Sequence, residues 1–408
     1  MQKVYDLAVI GGGAAGLAGA VSAAACGDKV LLIEKNNQIG RKIGASGNGR
    51  CNLMNIHSPR YYGDSHFAEQ VLDNYPKEKL IRYWNRLGIQ LSEEDDGRIY
   101  PCTYSSSTIT DAYRMRLKAE GTELLLQTNV NSIWKQNECF AINTEKESFY
   151  ALHVLIACGG AAYSKLGGTE SGYRLLSHFS HSMIPVKPAL CPITTDRKSI
   201  SGLAGLRVKC TVNLTDRRGV KLKQEKGEVL FTESGISGIC VMQVSRMAEV
   251  GSAIELNLTE RIFPEEEKLA EYLAERKELI PDSTPEMILS GILLPKISFA
   301  VLKQAGINMI NRKISDLTRD ELTAIANKSR HYLISATGNK GLENAQVTAG
   351  GADCREFSPE TMESRIIKGL HAAGEVLNVD GDCGGFNLMF ATASGILAGL
   401  NGRKETNP

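Results

Sequence analysis

Three stretches of this 408-residue chain carry residue types whose spacing could do chemistry. The first is Gly11-x-Gly13-x-x-Gly16, extended by Gly19, between the apolar run "YDLAVI" (5–10) and the small-residue run "AAGLAGAVSAAACG" (14–27). Strand, glycine turn and helix in that order make a dinucleotide cradle. The first glycine permits the tight turn, the second admits a diphosphate to the backbone, and the third lets the helix pack close to the sheet. Unpaired N–H groups and about half a positive charge at the helix start then favour phosphate. Gly11, Gly13, Ala14, Ala15 and Gly16 are the residues expected there. Glu34 ends the next strand, "KVLLIEK" (29–35), 18 residues after Gly16, with Lys35 beside it. Its carboxylate can accept two hydrogen bonds from an adenosine ribose and would repel a 2′-phosphate.

The second stretch is "RKIGASGNGRCNL" (41–53), too polar and glycine-rich for a core helix. Arg41 and Lys42 could supply charge to phosphates, Gly44, Gly47 and Gly49 a close backbone approach with Ser46 among the cofactor contacts, and Arg50, Cys51 and Asn52 contacts further along a bound dinucleotide. The third, "GLHAAGEVLNVDGDCGGFNLMFATASG" (369–395), places Gly374 and Glu375 after an apolar strand and Gly385, Phe386, Asn387 and Leu388 at the start of an apolar helix. An acid there can bind a ribityl chain, and the helix N-terminus can meet an isoalloxazine at N1 and the C2 carbonyl, favouring the anionic reduced ring. These features point to FAD rather than NAD as the resident dinucleotide, with Val130, Ala157 and Gly159 completing the cofactor set. Catalytic candidates are Cys51, whose basic surroundings could lower a thiol pKa, and Tyr163, Tyr104, His57 and Arg98, any of which could supply a proton or polarise a carbonyl.

These residues need elements to position them. Strand, glycine turn, helix and strand is a βαβ unit, and its continuous apolar strands suit a parallel sheet covered on both faces. A helix is expected near 66–87 and another near 108–120, and from "TELLLQTNV" (122–130) to "ALHVLIACGG" (151–160) the chain reads as a meander returning to the sheet. Period-two patterning in "VKCTVNLTD" (208–216), "VKLKQEKGEVLFTESG" and "AIELNL" (253–258) predicts an antiparallel sheet or small barrel, followed by a helical region over 264–328. The fold class expected is α/β. A discontinuous Rossmann-like FAD domain (1–190 with 340–408) carries an inserted β-barrel (191–260) and a small helical subdomain (261–339).

Composition narrows the function. Lys plus Arg at 47 nearly balances Asp plus Glu at 46, so bulk charge recruits neither nucleic acid nor an anionic membrane. Ten cysteines lie at least 19 residues apart, which excludes CxxC zinc or redox pairs, and no metal site is expected. No secretion signal opens the chain, so reduced thiols and a cytoplasmic location are expected. The two apolar helices, 14–26 and 388–400, are shorter than the about 20 residues of a membrane span.

The stretches already quoted, together with "GRIYP" (97–101), "ACGGAAYSKLGGTESGY" (157–173), "LFTESGISG" (230–238) and "TMESRIIKGLHAAGEVLNVDGDCGGFNL", resemble the BaiN-like family of NAD(P)/FAD-dependent oxidoreductases essentially end to end. Cys158, Asn378 and Phe386 depart from that family's usual threonine, aspartate and tyrosine. The resemblance implies FAD, NADH or NADPH as transient donor, and a small hydrophobic substrate. The implied reaction reduces a C=C bond conjugated to a ketone, as in 3-oxo-Δ4 or Δ4,6 bile-acid intermediates. No second GxGxxG marks a separate nicotinamide domain. An amine or aminoketone oxidase, a tRNA-modifying flavoprotein and a non-catalytic flavin sensor are the other readings of the same residues, and nothing sets the oligomeric state.

Overall fold

Five parallel strands meet in one row. Val4–Ile10 (β1) lies between Val30–Ile33 (β2) and Ser148–Ile156, while Glu123–Leu125 and Leu370–Ala372 continue the sheet on either side. In register, Leu125, Ile33, Ile10, Ile156 and Ala372 are successive neighbours. Their carboxyl ends therefore form one edge, and Gly11, Glu34, Ala157 and the Ala373–Gly374 step leave from it. In open α/β sheets that edge is where ligands bind. The computed structural model from which this is read describes residues 3–57 and 60–402.

Helix α1 (Ala14–Ala25) is buried over ten of its twelve residues, as an all-round apolar helix must be. It packs on the C-terminal helix Phe386–Leu400 through glycine. A Cβ added at Gly395 would lie 2.1 Å from the Ala15 carbonyl oxygen, and one at Gly399 2.2 Å from that of Gly19. Residue 15 faces 395 and residue 19 faces 399, so the two helices run parallel. The start of the C-terminal helix then projects beyond the start of α1 by eight residues, about 12 Å at the helical rise.

Other elements in this half follow local rules. The single helix expected near 66–87 is two, Ser65–Asn74 and Lys77–Arg86, because Pro76 cannot continue the first and instead caps the second. The 122–130 run divides: Glu123–Leu125 joins the parallel sheet, and Val130 opens the meander Val130–Gln136, Cys139–Thr144, Ser148–Ile156. The glycine-rich stretch forms a short helix, α2 (Arg41–Ala45), and then a tight turn with Gly47 and Asn48 in the left-handed region.

The chain divides into two compact units, Met1–Pro188 with Gln346–Pro408, and Ala189–Ala345. The second contains a closed antiparallel barrel of six strands, in the order Ile193–Thr195, Gly235–Ser237, Lys221–Thr232, Arg207–Thr215, Ala253–Asn257 and Tyr332–Asn339. The last strand moves a boundary read from sequence, which ended the helices at 328 but grouped 332–339 with the helical subdomain and not with the barrel. Tyr332, Ile334 and Ala336 are buried in alternation, a period-two pattern that only a strand satisfies. The helical segment itself is Glu266–Leu279, Pro295–Gln304 and Arg319–Arg330. Among the described residues no two cysteines form a disulfide, and no helix is long and apolar enough to cross a membrane.

Candidate functional site

The glycines of the first motif serve two different ends. At Gly11 (φ +112°) a Cβ would lie 2.4 Å from the Ala157 oxygen, and at Gly16 1.9 Å from the Gly11 oxygen, so packing forbids any side chain. Gly13 differs. Its φ of −87° and ψ of −171° suit any residue, and an added Cβ would meet nothing within 4 Å. Neither backbone nor neighbour asks for glycine there, so the cradle is kept open for an external group. Gly159 likewise faces open space. Helix α1 begins without a side-chain cap, leaving its first N–H groups and its positive end toward that space. Ala14 and Ala15 follow directly.

Glu34 is buried and organises the adjoining turn. One carboxylate oxygen accepts the Gly12 N–H at 2.7 Å, and the other accepts the Asn36 N–H at 2.7 Å and its side-chain amide at 2.6 Å. Segment 127–130 runs alongside: Gln127 N–H donates to the Asn36 oxygen and Thr128 N–H to the Glu34 oxygen. That brings Val130, two residues on, to the same corner. Lys35 is exposed, and the Ala157 N–H donates to Ile10 at 2.9 Å.

The cations of the second stretch are engaged within the protein. Arg41 donates to the Asn36 side-chain oxygen at 2.8 Å and to the Lys165 carbonyl at 2.9 Å. Lys42 forms an ion pair with Glu375 at 2.5 Å. Glu375 uses its other oxygen for the Thr348 N–H at 2.9 Å, and the Thr348 hydroxyl accepts from the Ala162 N–H at 2.8 Å. Sequence reading missed Asn36 and Thr348, because nothing in local pattern links a threonine at 348 to a lysine at 42.

Further along, Ser46 donates to the Ile43 carbonyl at 2.7 Å, Gly47 is exposed, and Arg50 lies over the Tyr104 ring at 5.7 Å. Tyr104, held at φ +48°, shares a hydrogen bond with Ser92 and stacks near Tyr100, ring centroids 5.4 Å apart. Tyr163 belongs to a different turn, the one Arg41 clamps through Lys165, and is 38% exposed. Cys51 is fully buried, and burial pushes its thiol up to about 11, with a smaller opposing effect from Ser46. At neutral pH it is a thiol, so the basic residues around it in sequence do not activate it. His57 and Arg98 stand at the neighbouring edge, Arg98 paired with Asp96 at 3.1 Å.

At the third stretch, Gly385 (φ +101°) starts the C-terminal helix without a side-chain cap. A Cβ there would lie 2.7 Å from the Asn52 side-chain oxygen and from the Met54 backbone. That buried Asn52 oxygen has no hydrogen-bond partner. The Asn387 amide closes the turn by bonding both the N–H and the carbonyl of Gly381, and Tyr61, missed in sequence, donates to the Phe386 carbonyl at 2.8 Å. Leu388 is half-buried. Gly374 lies between the two helix starts, an added Cβ being 2.8 Å from that of Ala15 and 3.6 Å from that of Ala391. One line therefore carries an open, positive helix end, a carboxylate at Glu375, and about 12 Å from the first a second positive helix end. A diphosphate, a polyol and an electron-accepting ring edge match those three features in that order. The residues present fit FAD.

Comparison with known proteins agrees in fold. Residues 5–401 match the model of the HI0933-like protein Rossmann domain. A 3-dehydro-bile acid delta(4,6)-reductase of Clostridium scindens is 33% identical over 96% of this chain and 98% of its own length. Ribosomal RNA dihydrouridine synthases are 29% identical, that of Haemophilus influenzae over 98% of this chain and 99% of its own, that of Escherichia coli over 96% of each. Among solved structures, the 3-ketosteroid-delta4-(5alpha)-dehydrogenase of Rhodococcus jostii RHA1 superposes with a TM-score of 0.50 at 13% identity, covering 99% of this chain and 98% of that one.

Proposed function

The chain belongs to the HI0933-like Rossmann family, and on that premise we propose that it is an FAD-dependent oxidoreductase that reduces a C=C bond conjugated to a carbonyl. The observation that carries this reading is that the full-length relatives, though named for unlike substrates, share one bond change. A Δ4,6 3-oxo steroid and a uracil ring both present a C=C bond conjugated to a carbonyl, and both names denote its saturation. Bound FAD would supply a two-electron carrier between a nicotinamide donor and that bond.

The protein's own residues have defined tasks in this reading. Gly13 and the N-terminus of α1 receive the diphosphate, Glu34 the adenosine ribose and Glu375 the polyol. The start of the Phe386–Leu400 helix would stabilise negative charge on the bound ring. A donor must hold the substrate carbonyl oxygen as charge develops there, a contact whose loss typically costs about 3–4 kcal/mol. Arg50 and Tyr104, packed on each other beside the glycine-rich turn, are the donors favoured. A small, hydrophobic 3-oxo-Δ4 or Δ4,6 substrate, NADH or NADPH as donor and a cytoplasmic location complete the proposal. The higher identity to the bile-acid reductase and the near-zero net charge support a small molecule over RNA.

The two dihydrouridine synthases favour a second reading, reduction of uridine in ribosomal RNA by the same chemistry. Release of the cofactor by denaturation, its identification, and parallel assays on a 3-oxo-Δ4,6 steroid and on ribosomal RNA lacking dihydrouridine separate the possibilities. FAD with steroid reduction supports the proposal. FAD with RNA reduction alone replaces the substrate class, and absence of FAD removes the reaction class altogether.

A further inference from the structure

Lys42 sits in a glycine-rich basic stretch, and charge alone would assign it to phosphate. Its ammonium instead meets Glu375, 333 residues away, at 2.5 Å. Three features fix that carboxylate in one place. Its second oxygen is held by the Thr348 N–H at 2.9 Å. Gly160 leaves the room it occupies, since a Cβ there would lie 2.7 Å from Glu375 and 2.5 Å from the Thr348 hydroxyl. Gly374, the preceding residue, is wedged between Ala15, in the first turn of α1, and Ala391, in the second turn of the C-terminal helix. Lys42 is therefore committed to a carboxylate that is itself held in place, rather than left free for a phosphate. Both side chains are mostly shielded, 29% and 18% exposed, so screening does not reduce the pair to a surface contact.

We propose that Lys42 acts on FAD through Glu375: it is a positioning residue that holds the carboxylate for the polyol segment, and it is not a phosphate ligand. This rests on the FAD reading above. ADP carries the adenosine and diphosphate of the cofactor but neither polyol nor ring, so it separates the two roles. The full-length protein stripped of flavin, with its fold checked by circular dichroism, is titrated calorimetrically with FAD and with ADP. The variants are Lys42→Met, Lys42→Arg, Glu375→Gln and the Lys42→Met/Glu375→Gln double.

Lys42→Met is expected to weaken FAD about tenfold, the scale of one charge-assisted hydrogen bond, and to leave ADP within about twofold. Adding Lys42→Met to Glu375→Gln should change FAD affinity by less than about twofold, since the partner is already gone. Lys42→Arg should recover most of the loss. Equal weakening of ADP and FAD, or losses that multiply in the double variant, would overturn the proposal and return Lys42 to the phosphates. A wild-type protein that binds ADP but not FAD would also overturn it. One that binds neither removes the dinucleotide reading beneath it.

Discussion

At the scale of single residues, Gly13 and Cys51 separate what is kept for a ligand from what is kept for packing. Gly13 has an unstrained backbone and empty space where a side chain would stand. Gly13→Ala is therefore expected to leave the thermal midpoint unchanged within about 2 °C, or to raise it slightly by restricting the unfolded chain. FAD affinity should fall by at least about tenfold, and calorimetry with FAD checks this against the melting curve. Cys51 behaves oppositely. Its thiol is buried and pushed up to about 11, so labelling of the native protein by iodoacetamide at pH 7 should spare it while exposed Cys102 reacts. Cys51→Ala should keep the rate of substrate reduction within about threefold, since a buried thiol supplies no nucleophile. A hundredfold loss with FAD retained would reinstate it as a catalytic group. The glycine motif and Glu34 were legible because a dinucleotide turn is local. The Lys42–Glu375 pair was not, because it joins opposite ends of the chain, and the burial of Cys51 runs against its basic sequence neighbours.

At the scale of elements, the offset between two parallel helices sets the spacing of the site. That offset depends on Gly395 and Gly399, where a Cβ would lie about 2 Å from backbone oxygens of α1. Alanine at either position gains helix propensity of about 1 kcal/mol, yet the overlap falls on backbone that cannot move aside. Gly395→Ala is expected to destabilise the protein by about 1–3 kcal/mol and to weaken FAD as well, measured by urea unfolding and flavin titration. Stabilisation instead would mean that the helices are not in this contact. The sequence showed both helices and their glycines, but which glycine faced which helix needed the packed structure. The strand Tyr332–Asn339 teaches the reverse. Its alternation was visible, and it was misplaced because its barrel partners lie at 193–195 and 253–257, on the far side of a helical segment. The break at Pro76 was readable from proline's missing N–H alone.

At the scale of the whole molecule, a parallel sheet assembled from both ends of the chain presents one edge from which Gly11, Glu34, Ala157 and Gly374 depart, and the other unit is a closed barrel with its helices. The sequence made the fold class readable because βαβ patterning and period-two barrel strands are strong signals. Substrate identity was not readable, because it depends on shape and on which donor meets a carbonyl, and neither has a fixed spacing along the chain. The central claim is that this protein moves two electrons from a nicotinamide to a C=C bond conjugated to a carbonyl. Anaerobic stopped-flow absorbance at the oxidised-flavin band, about 450 nm, tests it most directly. Mixing with NADH or NADPH should bleach the band, and a second mix with a 3-oxo-Δ4,6 steroid should restore it with one product formed per flavin. A band that no nicotinamide bleaches, or that only oxygen restores, would contradict the account.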